Sequence, residues 1–276
     1  MITFSAFADE IAQDLMTQMD VCQANGIACI DVRGIDGKNV SALTLAEVRG
    51  YRKQLDDRGF RVPCIGSPIG KIKISDDFQA HLDLLKHCID VARGFGSDLI
   101  RIFSFYPSAG AGIAEQRSEV MDRMRQMVSV AEAAGVTLLH ENEKAIYGAK
   151  PDGVRDLFLE IRSEHFKGIF DPANFVEEGV APYDEAWTQG LSELTDYFHI
   201  KDKKVGEDVC CPAGQGEGQF KQILTDLKVR NWSGYMTLEP HLAQAGQFKG
   251  FSGAELFTTA VRAIKGLCDW AGVSYQ

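Results

Sequence analysis

Four segments in the second half of the chain set a carboxylate or an imidazole directly at the end of a short apolar run. They read His140-Glu141-Asn142-Glu143, Phe170-Asp171-Pro172-Ala173-Asn174, His199-Ile200-Lys201-Asp202 and Leu238-Glu239-Pro240-His241. One candidate ligand from each gives Glu141, Asp171, His199 and Glu239. Three carboxylates and one imidazole make an oxygen-rich donor set. It suits one divalent cation, Mn²⁺, Mg²⁺, Co²⁺ or Zn²⁺, rather than a thiolate-selected metal. Singly, each residue has an ordinary alternative: Asp171 before Pro172 can open a turn, and His199 can be a satisfied histidine near the core. Their joint placement at equivalent points of four consecutive units argues for a ligand set. Several acids converging on one point repel each other unless a cation neutralises them.

Such residues converge only if the elements that carry them surround a common axis. Runs rich in Ile, Val, Phe and Leu read as buried parallel strands over Ile2–Phe7, Ala28–Val32, Arg61–Ile65, Leu99–Phe105, Val136–His140, Lys167–Phe170, Tyr197–Ile200 and Gly234–Leu238. Helical patterns lie between and after them, over Ile11–Ala24, Leu43–Arg58, Phe78–Gly94, Ala114–Ala134, Val154–Arg162, Tyr183–Thr195, Phe220–Leu227 and Gly253–Trp270. In Phe78–Gly94 the residues Leu82, Leu84, Leu85, Cys88, Ile89 and Val91 recur at roughly helical spacing and form an apolar stripe. Glycine follows several of these patterns where a helix should stop, at Gly26, Gly59, Gly96 and Gly135. Eight βα units with no linker predict a single-domain (β/α)₈ TIM barrel over residues 1–276, with the site built by the loops after the strands. A doubly wound open sheet is the alternative. It would normally carry a glycine-rich turn after its first strand, where this chain has Ala6-Phe7-Ala8-Asp9-Glu10.

Composition narrows the partners. The 276 residues are 45% hydrophobic and 25% charged, with a net charge of −10. A chain this acidic lacks the electrostatic footprint expected for nucleic acid or an anionic membrane, and a small molecule is the expected partner. No apolar run approaches the roughly 18 residues of a membrane span, and the acidic N-terminus does not read as a signal peptide. Seven scattered cysteines without a C-x-x-C pair point to a reducing cytoplasm.

Other residues at strand ends are candidates for binding substrate. Arg101 alternates with Phe103 and Phe105, so a strand can aim all three into the mouth; an outer-layer salt bridge is its plain alternative. Lys71 follows Gly66-Ser67-Pro68-Ile69-Gly70 and can reach a substrate oxygen or stay solvated. Glu10 and Arg33 can bind hydroxyls or pair with each other, and Lys201 shares a strand face with His199. Two features invite a stronger reading than they carry. Gly214-Gln215-Gly216-Glu217-Gly218 is not a dinucleotide fingerprint. Its place before a helix fits a phosphate loop, with a plain flexible loop as the expected reading. Trp187, near Phe175 and Tyr183, can wall a pocket or simply pack.

Taken together, HENE, FDPANF, FHIKDKK and TLEPHL resemble motifs of the xylose isomerase-like TIM barrel superfamily, in particular its sugar phosphate isomerase/epimerase members. FADEI, DVRGIDGKNV, GSPIGK and LIRIFSFY stand where that group carries its other strand-end motifs, so the resemblance covers nearly the whole chain. It implies that Glu141, Asp171, His199 and Glu239 bind one divalent metal, and that Glu141 and Glu239 also serve as acid and base. Asn174 stands where some relatives have a histidine, and is included among the substrate-binding candidates. The implied activity is isomerisation or epimerisation of a monosaccharide, a sugar phosphate or a related ketose through an enediolate. The alternative is dehydration of a keto-inositol or dehydroshikimate-like substrate on the same scaffold. A phosphodiesterase resembling endonuclease IV would need many more ligands than six histidines comfortably supply. A non-catalytic sugar-binding barrel would not need four intact ligands. Self-association into a homo-oligomer is a further expectation of the resemblance.

Overall fold

The computed structural model describes residues 1–245 and 248–276. Seven parallel strands form one curled sheet: β1 (Ile2–Ala6), β2 (Cys64–Ile65), β3 (Leu99–Ile102), β4 (Thr137–Glu141), β5 (Phe166–Phe170), β6 (Thr195–Ile200) and β7 (Gly234–Leu238). Their order is β1-β7-β6-β5-β4-β3-β2. The eighth position, residues 28–32, is extended and bonds on both sides. Asp31 N donates to Ala6 O at 2.9 Å, while Ile30 N and Val32 N donate to Arg61 O and Cys64 O at 3.0 and 3.1 Å. This segment joins β1 to β2 and closes the (β/α)₈ TIM barrel.

The helices are α1 (Leu15–Ala24), α2 (Leu45–Asp57), α3 (Phe78–Phe95), α4 (Arg117–Ala134), α5 (Pro151–Glu160), α6 (Pro172–Glu177), α7 (Phe220–Val229) and α8 (Gly253–Ala271). Local chemistry sets their ends. Thr44 and Glu47 form a reciprocal capping box on α2, Asp77 caps α3, and Gly96, Gly135 and Gly272 stop α3, α4 and α8 at positive φ.

The expected helix Tyr183–Thr195 does not form as one element. A π-helical turn spans Pro182–Trp187 and a 3₁₀ turn Leu191–Glu193. Gly190, at φ 103°, breaks the path between them, and Thr195 already belongs to β6. The run Leu99–Phe105 leaves the sheet after Ile102, because Phe103 N and Phe105 N bond Ile69 O and Gly70 O instead. A Cβ on Gly70, whose φ is +90°, would lie 2.0 Å from Phe103 O, so this close crossing requires glycine.

Period two along the strands builds the barrel interior in layers. Cys64, Leu139, Ile169 and Tyr197 pack together inside the barrel. Two residues further along β4, the end of β5, and β6 come Glu141, Asp171 and His199. The larger apolar core lies between the sheet and the helices and includes Phe170, Phe198 and Trp187.

Candidate metal centre

Glu141 closes β4, Asp171 follows β5 and caps α6, His199 lies in β6, and Glu239 follows β7. Each of the four offers one ligand atom, and these atoms lie within 4.8 Å of one another. None of the four residues is more than 4% exposed. His199 Nδ1 is 3.0 Å from Glu141 Oε1 and 3.3 Å from Glu239 Oε2. Glu141 Oε2, Asp171 Oδ2, His199 Nδ1 and Glu239 Oε2 are buried and make no hydrogen bond. Buried polar atoms are normally satisfied. One buried atom from each of four converging residues, held by ion contacts and not by hydrogen bonds, is an arrangement that could hold a metal.

Neighbours fix these four side chains. The Asn142 side chain holds the Asp171 backbone through both of its ends, at 2.9 Å each. Asp171 Oδ1 accepts from Asn174 N at 3.0 Å. The Asn174 amide donates to Asn142 O at 2.8 Å and to Glu141 Oε1 at 3.3 Å. Asn174 thus reaches the site by orienting a carboxylate. Lys201 Nζ lies 2.7 Å from Asp171 Oδ2 and 3.6 Å from Glu239 Oε2, and Arg101 Nη1 lies 3.2 Å from Glu141 Oε2. These are ion contacts between buried groups, and they supply the positive charge that the carboxylates need.

The electrostatics follow from this crowding. Burial opposes ionisation of Glu141, but His199 and Arg101 hold it down at about 2. Glu239 is held well below its usual range against burial, by Lys201, His199 and His241. Burial raises Asp171 to about 7, although Lys201 pulls the other way. Burial disfavours the charged His199, yet Glu141 and Glu239 push it up to about 9. A metal ligates only neutral imidazole and ionised carboxylate, so an ion entering here would have to expel any proton on His199. We expect the affinity for a divalent ion to rise about tenfold per pH unit below about 9 and more steeply below about 7, then to level off. Chelator competition across that range measures it; a flat profile would show that His199 is already neutral in the metal-free protein.

The other predicted residues occupy the opposite half of the mouth. Arg33 Nε is 2.8 Å from Asp9, its Nη1 is 2.7 Å from Glu239 Oε1 and its Nη2 is 3.7 Å from Glu10. Lys71 pairs with Glu143 at 2.6 Å and lies over the Phe103 ring at 4.2 Å, on the rim. Glu10 is fully buried and fastens the loop after β7, accepting from His241 N at 2.9 Å and Ser252 Oγ at 3.0 Å. Phe105, at φ 67°, packs against Phe78 and His81 away from the ligand set.

Several residues of the site were not singled out from the sequence. The Phe7 ring is flanked by Arg33 and Arg101 at 4.7 and 4.8 Å and meets His199 edge-on at 5.1 Å. One layer below, buried Asp31 accepts hydrogen bonds from Ser5, Tyr197 and Thr237, each at 2.7 Å. The alternation 5/7, 31/33, 197/199 and 237/239 was the available signal for both. In the glycine-rich loop the N–H groups that could have held a phosphate are taken by a side chain. Those at Gly214, Gly216 and Gly218 donate to the Asp202 carboxylate at 2.7, 3.0 and 2.8 Å. Trp187 and Phe175 pack behind the barrel against Phe170.

Known proteins share this architecture. The probable 3-DHS dehydratase AsbF of Bacillus anthracis, involved in petrobactin synthesis, superposes with a TM-score of 0.74 at 15% identity, covering 96% of this chain and 98% of that one. A D-tagatose 3-epimerase-like protein gives a TM-score of 0.75 at 14% identity, covering 98% of each chain. A xylose isomerase-like TIM barrel protein from Mycobacterium smegmatis, in complex with magnesium, gives 0.71 at 15% identity, covering 98% of this chain and 95% of that one. These likenesses show a shared fold. No curated protein sequence matches the chain. The family profile described as xylose isomerase-like TIM barrel matches residues 19–267. The chain belongs to the xylose isomerase-like TIM barrel family.

Proposed function

We propose that this protein is a metal-dependent isomerase or epimerase of a monosaccharide, its phosphate or a related ketose, working by proton transfer at the carbon next to the carbonyl. The observation that carries the reading is the convergence of four buried atoms, one each on Glu141, Asp171, His199 and Glu239, within 4.8 Å of one another. Mn²⁺, Mg²⁺, Co²⁺ or Zn²⁺ fits these donors. Bound there, a divalent ion would supply Lewis-acid stabilisation of the negative charge of an enediolate. Glu141 and Glu239 come from strands β4 and β7, on either side of His199, and are held ionised by their neighbours. One takes the α-proton and the other returns one to the opposite face, as a two-base epimerisation requires. Lys201 and Arg101 stand beside the carboxylates, where they can neutralise charge developing on substrate oxygens. All seven cysteines are free thiols, in keeping with a reducing compartment. Among the described residues no helix is long and apolar enough to cross a membrane.

The test is turnover of a panel of free and phosphorylated ketoses in deuterated water by the metal-loaded enzyme. Proton transfer through solvent-exchanging carboxylates places deuterium at the carbon next to the carbonyl. Isomerised product without deuterium removes the proton-transfer mechanism. Loss of water in the product mass assigns the chain to dehydration instead, since that reaction begins with the same proton abstraction and continues with departure of a β-hydroxyl.

A further inference from the structure

The carboxylate of Glu239 faces two ways. Its Oε2 belongs to the cluster just described, 3.3 Å from His199 and 3.6 Å from Lys201. Its Oε1 points to the other half of the mouth, 3.4 Å from His241 Nε2 and 2.7 Å from Arg33 Nη1. Beside it stands Glu10, whose Oε1 is 3.1 Å from His241 Nε2. Glu10 Oε1 and His241 Nε2 are both buried atoms without a hydrogen bond. The other oxygen, Glu10 Oε2, is pinned by His241 N and Ser252 Oγ, so the aim of Oε1 is fixed by the fold. His241 sits at φ 47°, in the left-handed region that histidine visits more often than most side chains. Glu10, Glu239 and His241 together offer three ligand atoms within 4.8 Å of one another.

We propose that Glu10, Glu239 and His241 form a second divalent-cation site, with Glu239 bridging it to the first through its two oxygens. Two carboxylates and an imidazole suit the same metals as the four-residue cluster. Arg33 sets the strength of this site. Its guanidinium lies against Glu239 Oε1 and 3.7 Å from Glu10 Oε1, so an entering cation must displace it. Its contact to Asp9, at 2.8 Å, gives it a carboxylate to remain on. The second site therefore has one ligand fewer, a competing guanidinium and a neighbouring cation that repels the newcomer. It fills after the first and more weakly. With both filled, Glu239 would have both oxygens on cations and could not take or return a proton, so the proposed proton transfer belongs to the state with only the first site filled.

The inference rests on the metal reading of the first cluster, and a titration of the metal-free full chain with Mn²⁺ separates the two. Calorimetry should resolve two steps, the second weaker by about tenfold or more. Electron paramagnetic resonance should show the isolated Mn²⁺ signal giving way to an exchange-coupled pair as the second step proceeds. His241→Ala and Glu10→Gln should each remove the second step and keep the first. Arg33→Gln should strengthen the second step and leave the first in place. Saturation of the wild-type chain at one equivalent, or two equivalents retained by both His241→Ala and Glu10→Gln, overturns the second site. Binding of no Mn²⁺ overturns both sites.

Discussion

Glu141→Gln and Glu239→Gln, made separately and assayed at saturating metal, should each lower kcat by about 10²–10⁴-fold, the contribution of a positioned acid or base. The two variants should differ in what they retain. If each carboxylate serves one face of the substrate, a variant still carries the base for one epimer. It should then exchange the α-proton of that epimer with solvent while failing to complete epimerisation, and the two variants should choose opposite epimers. Gln preserves shape but loses the charge, so metal content must be measured alongside to separate lost loading from lost proton transfer. Full turnover in both variants would remove the acid–base assignment.

Lys201→Met should destabilise the metal-free protein by about 3–5 kcal/mol, as removal of one member of a buried ion pair does. The ammonium is 2.7 Å from Asp171 and 3.6 Å from Glu239, and Lys201 is only 6% exposed. Without it, those carboxylates face Glu141 with too little positive charge nearby. Saturating divalent ion replaces much of that charge and stabilises the folded state by mass action. The gap between variant and wild type should therefore narrow on metal addition. Urea unfolding with chelator and with metal reads both numbers. A change within about 0.5 kcal/mol in chelator, the range of an ordinary surface substitution, would show that Lys201 is not part of the charge balance.

Much of this site could be read before any coordinates. Barrel strands are buried on both faces, so their apolar runs stand out, and a charged residue ending such a run must sit at a barrel mouth. That logic located Glu141, Asp171, His199 and Glu239, which the structure brings together, and it placed Arg101 and Lys201 beside them. It works less well away from ladders. Residues 28–32 close the barrel with few bridges, and the stretch after Pro182 winds as π and 3₁₀ turns that no 3.6-residue pattern describes. Contacts between distant segments were beyond its reach. Nothing local in FADEI says that Glu10 will fasten Ser252, 242 residues away, and nothing in HIKD says that Asp202 will fill the glycine loop. Asn174 illustrates the middle ground: its position near the site was legible, while its hydrogen bond to Glu141 depends on the short helix α6.

The Asp202 carboxylate has a consequence for the loop that follows β6. A loop whose N–H groups wait for a ligand anion populates its working shape only part of the time, and apparent affinity falls by that fraction. Here the anion is part of the chain, one residue past Lys201, and three glycine N–H groups already close on it. A Cβ on Gly216 or Gly218 would come within 2.4 or 2.7 Å of that carboxylate, so a side chain at either position would have to push it aside. The loop between β6 and α7 thus carries its own anion, and these glycine N–H groups are already engaged by it.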